Sequence, residues 1–249
     1  MPPQLDWQLG TVERVTDETY RTKTFSISLP AWRTFRPGQH VDVRLTASDG
    51  YQAQRSYSIA SAPGRTGIID LTVELVTEGE VSSYFHEVAR AGDQIEVRGP
   101  IGGPFTWSVD MGGPLLLVAG GSGIVPLMSM LRHRRDAALD IQALLLYSSR
   151  AQRDVIYRDE LEREDRADPR LSVVHTLTRE QPDEWQSFVR RVDRPMLEDV
   201  LRRLDGKPWS YACGPTPFVE VVARALVDLG VPPDRVRTER FGPSGGGGE

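Results

Sequence analysis

The chain has 249 residues, enough for one large domain or two ordinary ones, each with its own core. With 39% apolar and 26% charged residues it has the composition of a soluble globular protein, and no apolar run approaches the ~20 residues of a membrane span. A net charge of −5 argues against general nucleic-acid binding, and the single cysteine, Cys213, excludes an intrachain disulfide and a four-cysteine iron–sulfur or zinc site.

The first residues, Met1-Pro2-Pro3-Gln4-Leu5-Asp6, lack the segments of a signal peptide, so the expected location is the cytoplasm. Over residues 5–107 apolar side chains mostly recur with period two, as in Thr24-Phe25-Ser26-Ile27-Ser28-Leu29, His40-Val41-Asp42-Val43-Arg44-Leu45 and Leu71-Thr72-Val73-Glu74-Leu75-Val76. Pro37-Gly38, Ser48-Asp49-Gly50 and Pro63-Gly64 punctuate these runs, which predicts an antiparallel barrel or sandwich of short strands. Within it, Arg55-Ser56-Tyr57-Ser58 reads as a strand running into a turn, with a cation and two hydroxyls at its edge. Taken alone, that run is equally ordinary sheet surface. One helix is predicted over residues 81–89, from Val81, Tyr84, Phe85 and Val88 at i, i+3, i+4 and i+7. Gly79, Ser82 and Ser83 crowd its start. A helix N-terminus can hold a phosphate, and serines there can as well be simple caps.

After Asp110-Met111-Gly112-Gly113 the alternation gives way to continuous apolar runs separated by helical stretches. Leu115-Leu116-Leu117-Val118-Ala119, Ile141-Gln142-Ala143-Leu144-Leu145-Leu146-Tyr147, Leu171-Ser172-Val173-Val174 and Trp209-Ser210-Tyr211-Ala212-Cys213 predict strands covered on both faces, hence a parallel sheet. The change of pattern falls within residues 108–113 and divides the chain into domains 1–110 and 111–249. The first of these strands runs into Gly120-Gly121-Ser122-Gly123-Ile124-Val125-Pro126, and a helix follows through Leu127, Met130 and Leu131. Glycines there let the backbone approach a pyrophosphate, although Pro126 stands where the dinucleotide fingerprint has its third glycine. Cys213 on its own reads as a small buried hydrophobe, and Glu239 as an exposed strand carboxylate. The basic runs Arg132-His133-Arg134-Arg135, Arg190-Arg191 with Arg194, and Arg202-Arg203 read as solvated helix faces, with a docking patch for an acidic partner as the alternative. His40, His86, His133 and His175 show no metal-ligand spacing, so no metal site is expected. The glycine-rich residues 242–249 are expected to be flexible.

In order and spacing, Arg55-Ser56-Tyr57-Ser58, Gly79-Glu80-Val81-Ser82, the Gly120 to Pro126 loop, Cys213-Gly214-Pro215 and Glu239-Arg240-Phe241 resemble the motifs of the ferredoxin–NADP reductase-like flavoenzymes. The resemblance covers about the whole chain and is to bacterial-type members without a fused iron–sulfur domain. It implies a two-domain fold, an antiparallel β-barrel flavin domain followed by an α/β parallel-sheet nucleotide-binding domain. It implies bound FAD, with FMN as the alternative. Arg55 and Ser56 open the flavin motif, Arg55 neutralising a phosphate; Tyr57 packs on the isoalloxazine and Ser58 hydrogen-bonds at its reactive nitrogen. Gly79, Val81, Ser82 and Ser83 meet the pyrophosphate, and Phe241 covers the flavin. Gly99-Pro100-Ile101-Gly102-Gly103-Pro104-Phe105 resembles a further flavin-domain turn but carries one inserted residue.

For the second nucleotide the resemblance implies contacts from Gly120, Gly121, Ser122 and Gly123, and from Cys213, Gly214 and Pro215 beside the nicotinamide. Ser149-Arg150 and Thr178-Arg179, with no acidic residue ending the second strand of this half, favour NADPH over NADH. Ser58, Cys213 and Glu239 form the implied catalytic set. The expected activity is hydride transfer from NADPH to FAD, with electrons passed to a separate carrier such as a ferredoxin or another small redox protein. Two rivals stand beside it. One is a reductase of flavin, ferric chelate or quinone, or the reductase component of an oxygenase; the other is a non-catalytic flavin- or nucleotide-binding subunit.

Overall fold

A computed structural model of the chain describes residues 5–138 and 140–241. The glycine-rich residues 242–249 lie outside the described residues. Two compact units emerge: one of residues up to Ser108 together with Met128–Asp136, the other of Val109–Leu127 and the chain from Ala137 onward.

The first unit is a six-stranded antiparallel sheet of β1 (Gln8–Thr19), β2 (Thr22–Ser28), β3 (His40–Thr46), β4 (Gln52–Ser58), β5 (Ile68–Glu74) and β6 (Gln94–Ile101), in the order β4-β3-β6-β1-β2-β5. Its two edge strands approach each other where Ile59 bridges Leu71 and the Ala60 N–H donates to the Asp70 carbonyl at 2.8 Å, curling the sheet into a barrel. The period-two residues form its core, with Val12, Phe25, Ile27, Val41, Val43, Ile69, Leu71 and Val97 all buried. Helix α1 (Glu80–Glu87) lays Val81 and Phe85 onto that core, Phe85 meeting Phe25 with ring centroids 4.7 Å apart.

The predicted helix face was one residue too wide. The helix ends at Glu87, the N–H groups of Val88 and Ala89 both turn back to the Tyr84 carbonyl, and Val88 is exposed.

The second unit is a five-stranded parallel sheet of β7 (Leu115–Gly120), β8 (Ala143–Ser149), β9 (Leu171–Leu177), β10 (Trp209–Pro215) and β11 (Val236–Phe241), in the order β11-β10-β7-β8-β9. Every residue of β7 is buried, as a central parallel strand requires. Helices α2 (Ile124–Ala137), α3 (Arg158–Ala167), α4 (Arg194–Arg202) and α5 (Thr216–Asp228) fill the crossovers. Met196, Leu197 and Val200 of α4 and Val219, Val222 and Leu226 of α5 close over Leu116, Val118, Leu144 and Leu146, while Val221 of α5 faces outward. Strands β8 and β9 run past their apolar stretches to Ser149 and Leu177, because backbone pairing of Ser148 with Gly120 and of Ser149 with Leu177 continues the ladder through polar residues. Among the described residues no helix is long and apolar enough to cross a membrane.

The basic run of α2 is not the solvated face that its charge suggests. Arg134 is 1% exposed, Arg132 donates to the Ala60 carbonyl at 2.9 Å, and His133 stands edge-on to Trp107 at 5.7 Å. Arginine stems supply apolar surface, so a cationic helix segment can be packed as well as solvated. Arg202 and Arg203, by contrast, lie on the surface and pair with Glu198 and Asp199 one turn earlier.

Candidate functional site

The candidate flavin residues of the first unit lie on edge strand β4 and at the start of α1. Arg55 is exposed, its Nη1 donating to the Gln54 carbonyl at 2.6 Å. The Tyr57 ring packs edge-on against Phe85 with centroids 5.6 Å apart, and burial pushes its hydroxyl pKa upward. Ser56 is already engaged: its hydroxyl donates to Asp42 at 2.7 Å, and Asp42 is held by Arg98 at 2.7 Å. Ser58 pairs across the ladder with His40, whose imidazole burial keeps neutral by pulling its pKa down.

At α1 the N-cap is Gly79 and no side chain caps the helix. The serines are therefore not the caps that local sequence allows. Ser82 instead donates to the Gly79 carbonyl at 3.0 Å and accepts from the Val76 N–H at 3.2 Å. A Cβ on Gly79 would disturb this fold-back, since it would meet Ser82 Oγ at 2.6 Å. Uncapped first-turn N–H groups beside an arginine suit a diphosphate, so these residues fit the phosphate half of a flavin nucleotide. The Gly99 to Phe105 segment contributes the end of β6, and Phe105 is buried.

In the second unit the candidates gather at the carboxyl ends of the strands. After β7 the chain makes a tight turn at Gly121–Gly123 into α2, with Gly121 at φ +57°. A Cβ on Gly123 would stand 2.1 Å from the Cys213 carbonyl oxygen, and one on Gly214 2.8 Å from the Phe218 ring and 3.3 Å from the Gly120 Cα. The loops after β7 and β10 are thus in backbone-to-backbone contact, leaving Ser122 partly exposed and Pro215 exposed at the mouth. Such a glycine cradle at a helix start is built for a pyrophosphate.

The ends of β8 and β9 are zipped together. Thr178 N–H donates to the Ser149 carbonyl at 3.0 Å, Thr178 Oγ1 to the same carbonyl at 3.2 Å, and Arg179 N–H to the Arg150 carbonyl at 2.9 Å. Arg150 and Arg179 are exposed, while Ser149 is buried and its Oγ has no hydrogen-bond partner. An unpartnered hydroxyl next in the chain to one exposed arginine, and two exposed arginines whose backbones are joined, fit a phosphate-bearing ligand. Arg153, which sequence reasoning missed, forms a two-pronged pair with Glu180. Their separation of 27 residues leaves no local pattern by which to find it.

Strand register brings Cys213 opposite Glu239, with Sγ 3.9 Å from Oε2. Burial pushes the thiol's pKa well up, and the Glu239 carboxylate pushes it further. Burial likewise raises the half-buried Glu239 carboxyl to about 7. At neutral pH the pair is therefore a neutral thiol beside a carboxyl poised between its two forms. Phe241, partly exposed, ends β11 opposite Pro215.

Known families match both halves. The model of the oxidoreductase FAD-binding domain covers residues 9–106, and that of the oxidoreductase NAD-binding domain covers residues 117–224. The glycine betaine monooxygenase reductase subunit of Chromohalobacter salexigens is 32% identical over 237 residues, 92% of this chain and 62% of that one. Ferredoxin–NADP reductase B of Sorangium cellulosum is 36% identical over 213 residues, 83% of this chain and 85% of its own length. The solved cytochrome P450 reductase of Amycolatopsis superposes with a TM-score of 0.82 at 26% identity, over 96% of this chain and 71% of that one. The chain spans less than two thirds of the length of several relatives, the monooxygenase reductase subunits among them. Two adjoining domain matches and a relative shared over most of both lengths agree with the two folds, and the chain belongs to the ferredoxin–NADP reductase-like flavoenzymes, a family of FAD-dependent NAD(P)H oxidoreductases.

Proposed function

We propose that this protein takes hydride from NADPH onto bound FAD and passes the electrons to a separate small redox protein such as a ferredoxin. The observation that carries the reading is the Cys213–Glu239 pair at adjacent strand ends, in the unit that matches NAD-binding domains. When bound, FAD supplies the redox chemistry, accepting two electrons together and releasing them singly.

The chain's own residues bind and orient. Arg55 and the first-turn N–H groups of Val81 and Ser82 neutralise the flavin phosphates, while the Ser83 N–H closes the first helical turn on the Gly79 carbonyl at 2.8 Å. Tyr57, rigid against Phe85, offers an apolar face, and Ser58 supplies a hydroxyl at the flavin nitrogen. Gly120, Gly121, Ser122 and Gly123 hold the second pyrophosphate, while Gly214 and Pro215 shape the wall beside the nicotinamide. Cys213, un-ionised at pH 7, is a packing and orienting group, and a nucleophilic role does not suit its raised pKa. Glu239, near half-protonated at neutrality, can hold or release a proton at Oε2. Ser149, Arg150 and Arg179 receive the 2′-phosphate, and Thr178 braces the site by donating to the Ser149 carbonyl. The one acidic side chain among them, Glu180, is engaged by Arg153.

Anaerobic stopped-flow mixing with NADPH and with NADH tests this. NADPH is expected to bleach the flavin with the higher kcat/KM; equal values overturn the preference, and no bleaching by either leaves a non-catalytic binding subunit. A second reading, the reductase component of an oxygenase, is favoured by the 32% identity to a monooxygenase reductase subunit. Presenting the reduced protein with a ferredoxin, an oxygenase component, free flavin, quinone and ferric chelate side by side separates the acceptors.

A further inference from the structure

Tyr51 sits at the tip of the β3–β4 hairpin with 57% of its surface exposed, yet it is fixed at every polar handle. Its N–H donates to Asp49 Oδ1 at 3.0 Å, and its carbonyl accepts from the Ala47 N–H at 2.9 Å. Its hydroxyl donates to both carboxylate oxygens of Glu80, at 3.2 and 3.0 Å, in the first turn of α1. The Ala47 bond carries the β-ladder one residue beyond β4, so Tyr51, Arg55 and Tyr57 fall on one side of the edge strand. An exposed aromatic ring is usually free to rotate. This one is tethered at its hydroxyl, and no aromatic ring or cation among the described residues stacks on its faces.

We propose that Tyr51 is the stacking platform for the adenine ring of FAD and the residue by which this chain selects FAD over FMN. The inference rests on the flavin reading above, which assigns the isoalloxazine to Tyr57 and the phosphates to Arg55 and the α1 start. Along β4 the order Tyr57, Arg55, Tyr51 then repeats the order of the ligand: flavin ring, diphosphate, adenine. Six residues of extended strand span about 20 Å, room for a dinucleotide laid lengthwise. Arg55 lies close enough to bear on the Tyr51 hydroxyl electrostatically, so the platform and the phosphate cation are neighbours. A purine stacks on any aromatic face, and a ring already immobilised gives up little entropy on binding. FMN, which ends at its phosphate, has nothing to place there.

The test is titration of flavin-stripped protein with FAD and with FMN, followed by quenching of flavin fluorescence. Tyr51→Ala is expected to weaken FAD about tenfold, within the range for base–aromatic stacking, and to leave FMN unchanged. Tyr51→Phe keeps the ring but loses the Glu80 tether and should fall between. Tyr20→Ala, which removes another exposed ring at the β1–β2 turn, should change neither affinity. Unaltered FAD affinity in folded Tyr51→Ala protein, or an equal loss for both flavins, overturns the inference and leaves the flavin reading standing. Parent protein that takes up neither flavin overturns both.

Discussion

Both units place a glycine before a helix, and the two glycines are constrained in different ways. Gly79, before α1, keeps its place for the sake of a side chain: an added Cβ meets the Ser82 hydroxyl, which can rotate away. At Gly123, before α2, an added Cβ would stand 2.1 Å from the Cys213 main-chain carbonyl, which can yield only if β10 and its loop move. In the antiparallel unit the candidate site is thus arranged by side chains on an exposed edge strand. In the parallel unit the candidate site is arranged by backbones pressed together at strand ends, as the both-sides-covered sheet leaves only those ends open.

The largest expected effect follows from this contrast. Gly123→Ala should destabilise the protein by about 3 kcal/mol or more, in the range for backbone overpacking, and lower the melting temperature by roughly 10 °C. Gly79→Ala should cost about 1 kcal/mol, the worth of the Ser82 hydrogen bond it disturbs, and show instead as lost flavin. Thermal melts with flavin content measured on the same samples decide the matter; equal destabilisation by the two changes would break the comparison.

Next in size is the proposed catalytic set. Alanine at Ser58, Cys213 or Glu239 is expected to slow single-turnover flavin reduction by roughly 10- to 100-fold, since small displacements at a reacting centre are expensive, while flavin content stays nearly intact. The triple variant should be little slower than the worst single one, because groups that act together cannot be removed twice. Unchanged reduction in folded, flavin-loaded Cys213→Ala and Glu239→Ala would end the assignment.

Backbone chemistry was the legible part of this sequence. Alternation gave the barrel, apolar runs gave the parallel sheet, and Gly120 to Gly123 announced a close approach because three glycines in four residues after a buried strand leave the main chain bare. Side-chain partnerships across long stretches of chain were not legible. Tyr51 and Glu80 are 29 residues apart, Arg153 and Glu180 are 27, and nothing in either neighbourhood names the other. Cys213 and Glu239 could be joined only through the family resemblance, since their contact depends on the register of β10 against β11. The buried Arg134 misled for a related reason: charge in a helix reads as exposure, and only packing reveals a stem used as core.

A smaller effect tests the electrostatics of the strand ends. Glu239 titrates near 7 in the folded chain and near the ordinary carboxylate value of about 4.3 when unfolded. Between those values the folded state holds a proton that the unfolded state has released, so its contribution to stability is complete at low pH and is lost as pH rises through about 7. The full shift corresponds to at most roughly 4 kcal/mol, reduced by the water that reaches this half-buried group. Melting temperature should therefore fall between pH 5 and pH 8, and Glu239→Gln should flatten the slope. An identical slope in the variant would show that the carboxyl is not the group titrating.

The smallest expected effect concerns the choice of nucleotide. Arg150 and Arg179 are both exposed, and their backbones are joined at 2.9 Å, so the two guanidinium groups leave from neighbouring points. Arg179 follows Thr178, whose hydroxyl and N–H are both spent on the Ser149 carbonyl, which fixes the base from which Arg179 extends. The Arg150 carbonyl accepts from the N–H groups of Arg179 and Glu180 at 2.9 and 3.1 Å, so both bases are held. Because Thr178-Arg179 is the step that resembles the phosphate-gripping segment of NADP-using relatives, Arg179→Ala should narrow the NADPH-to-NADH ratio of kcat/KM about fivefold, more than Arg150→Ala does. Arg153 is a third cation nearby, but Glu180 holds it in a two-pronged pair. Glu180→Gln removes the competing charge, releases Arg153 toward the ligand and should widen the ratio. Opposite signs for Arg179→Ala and Glu180→Gln, with melting temperatures unchanged, are what a phosphate site at these strand ends requires; the same sign for both would assign the discrimination elsewhere.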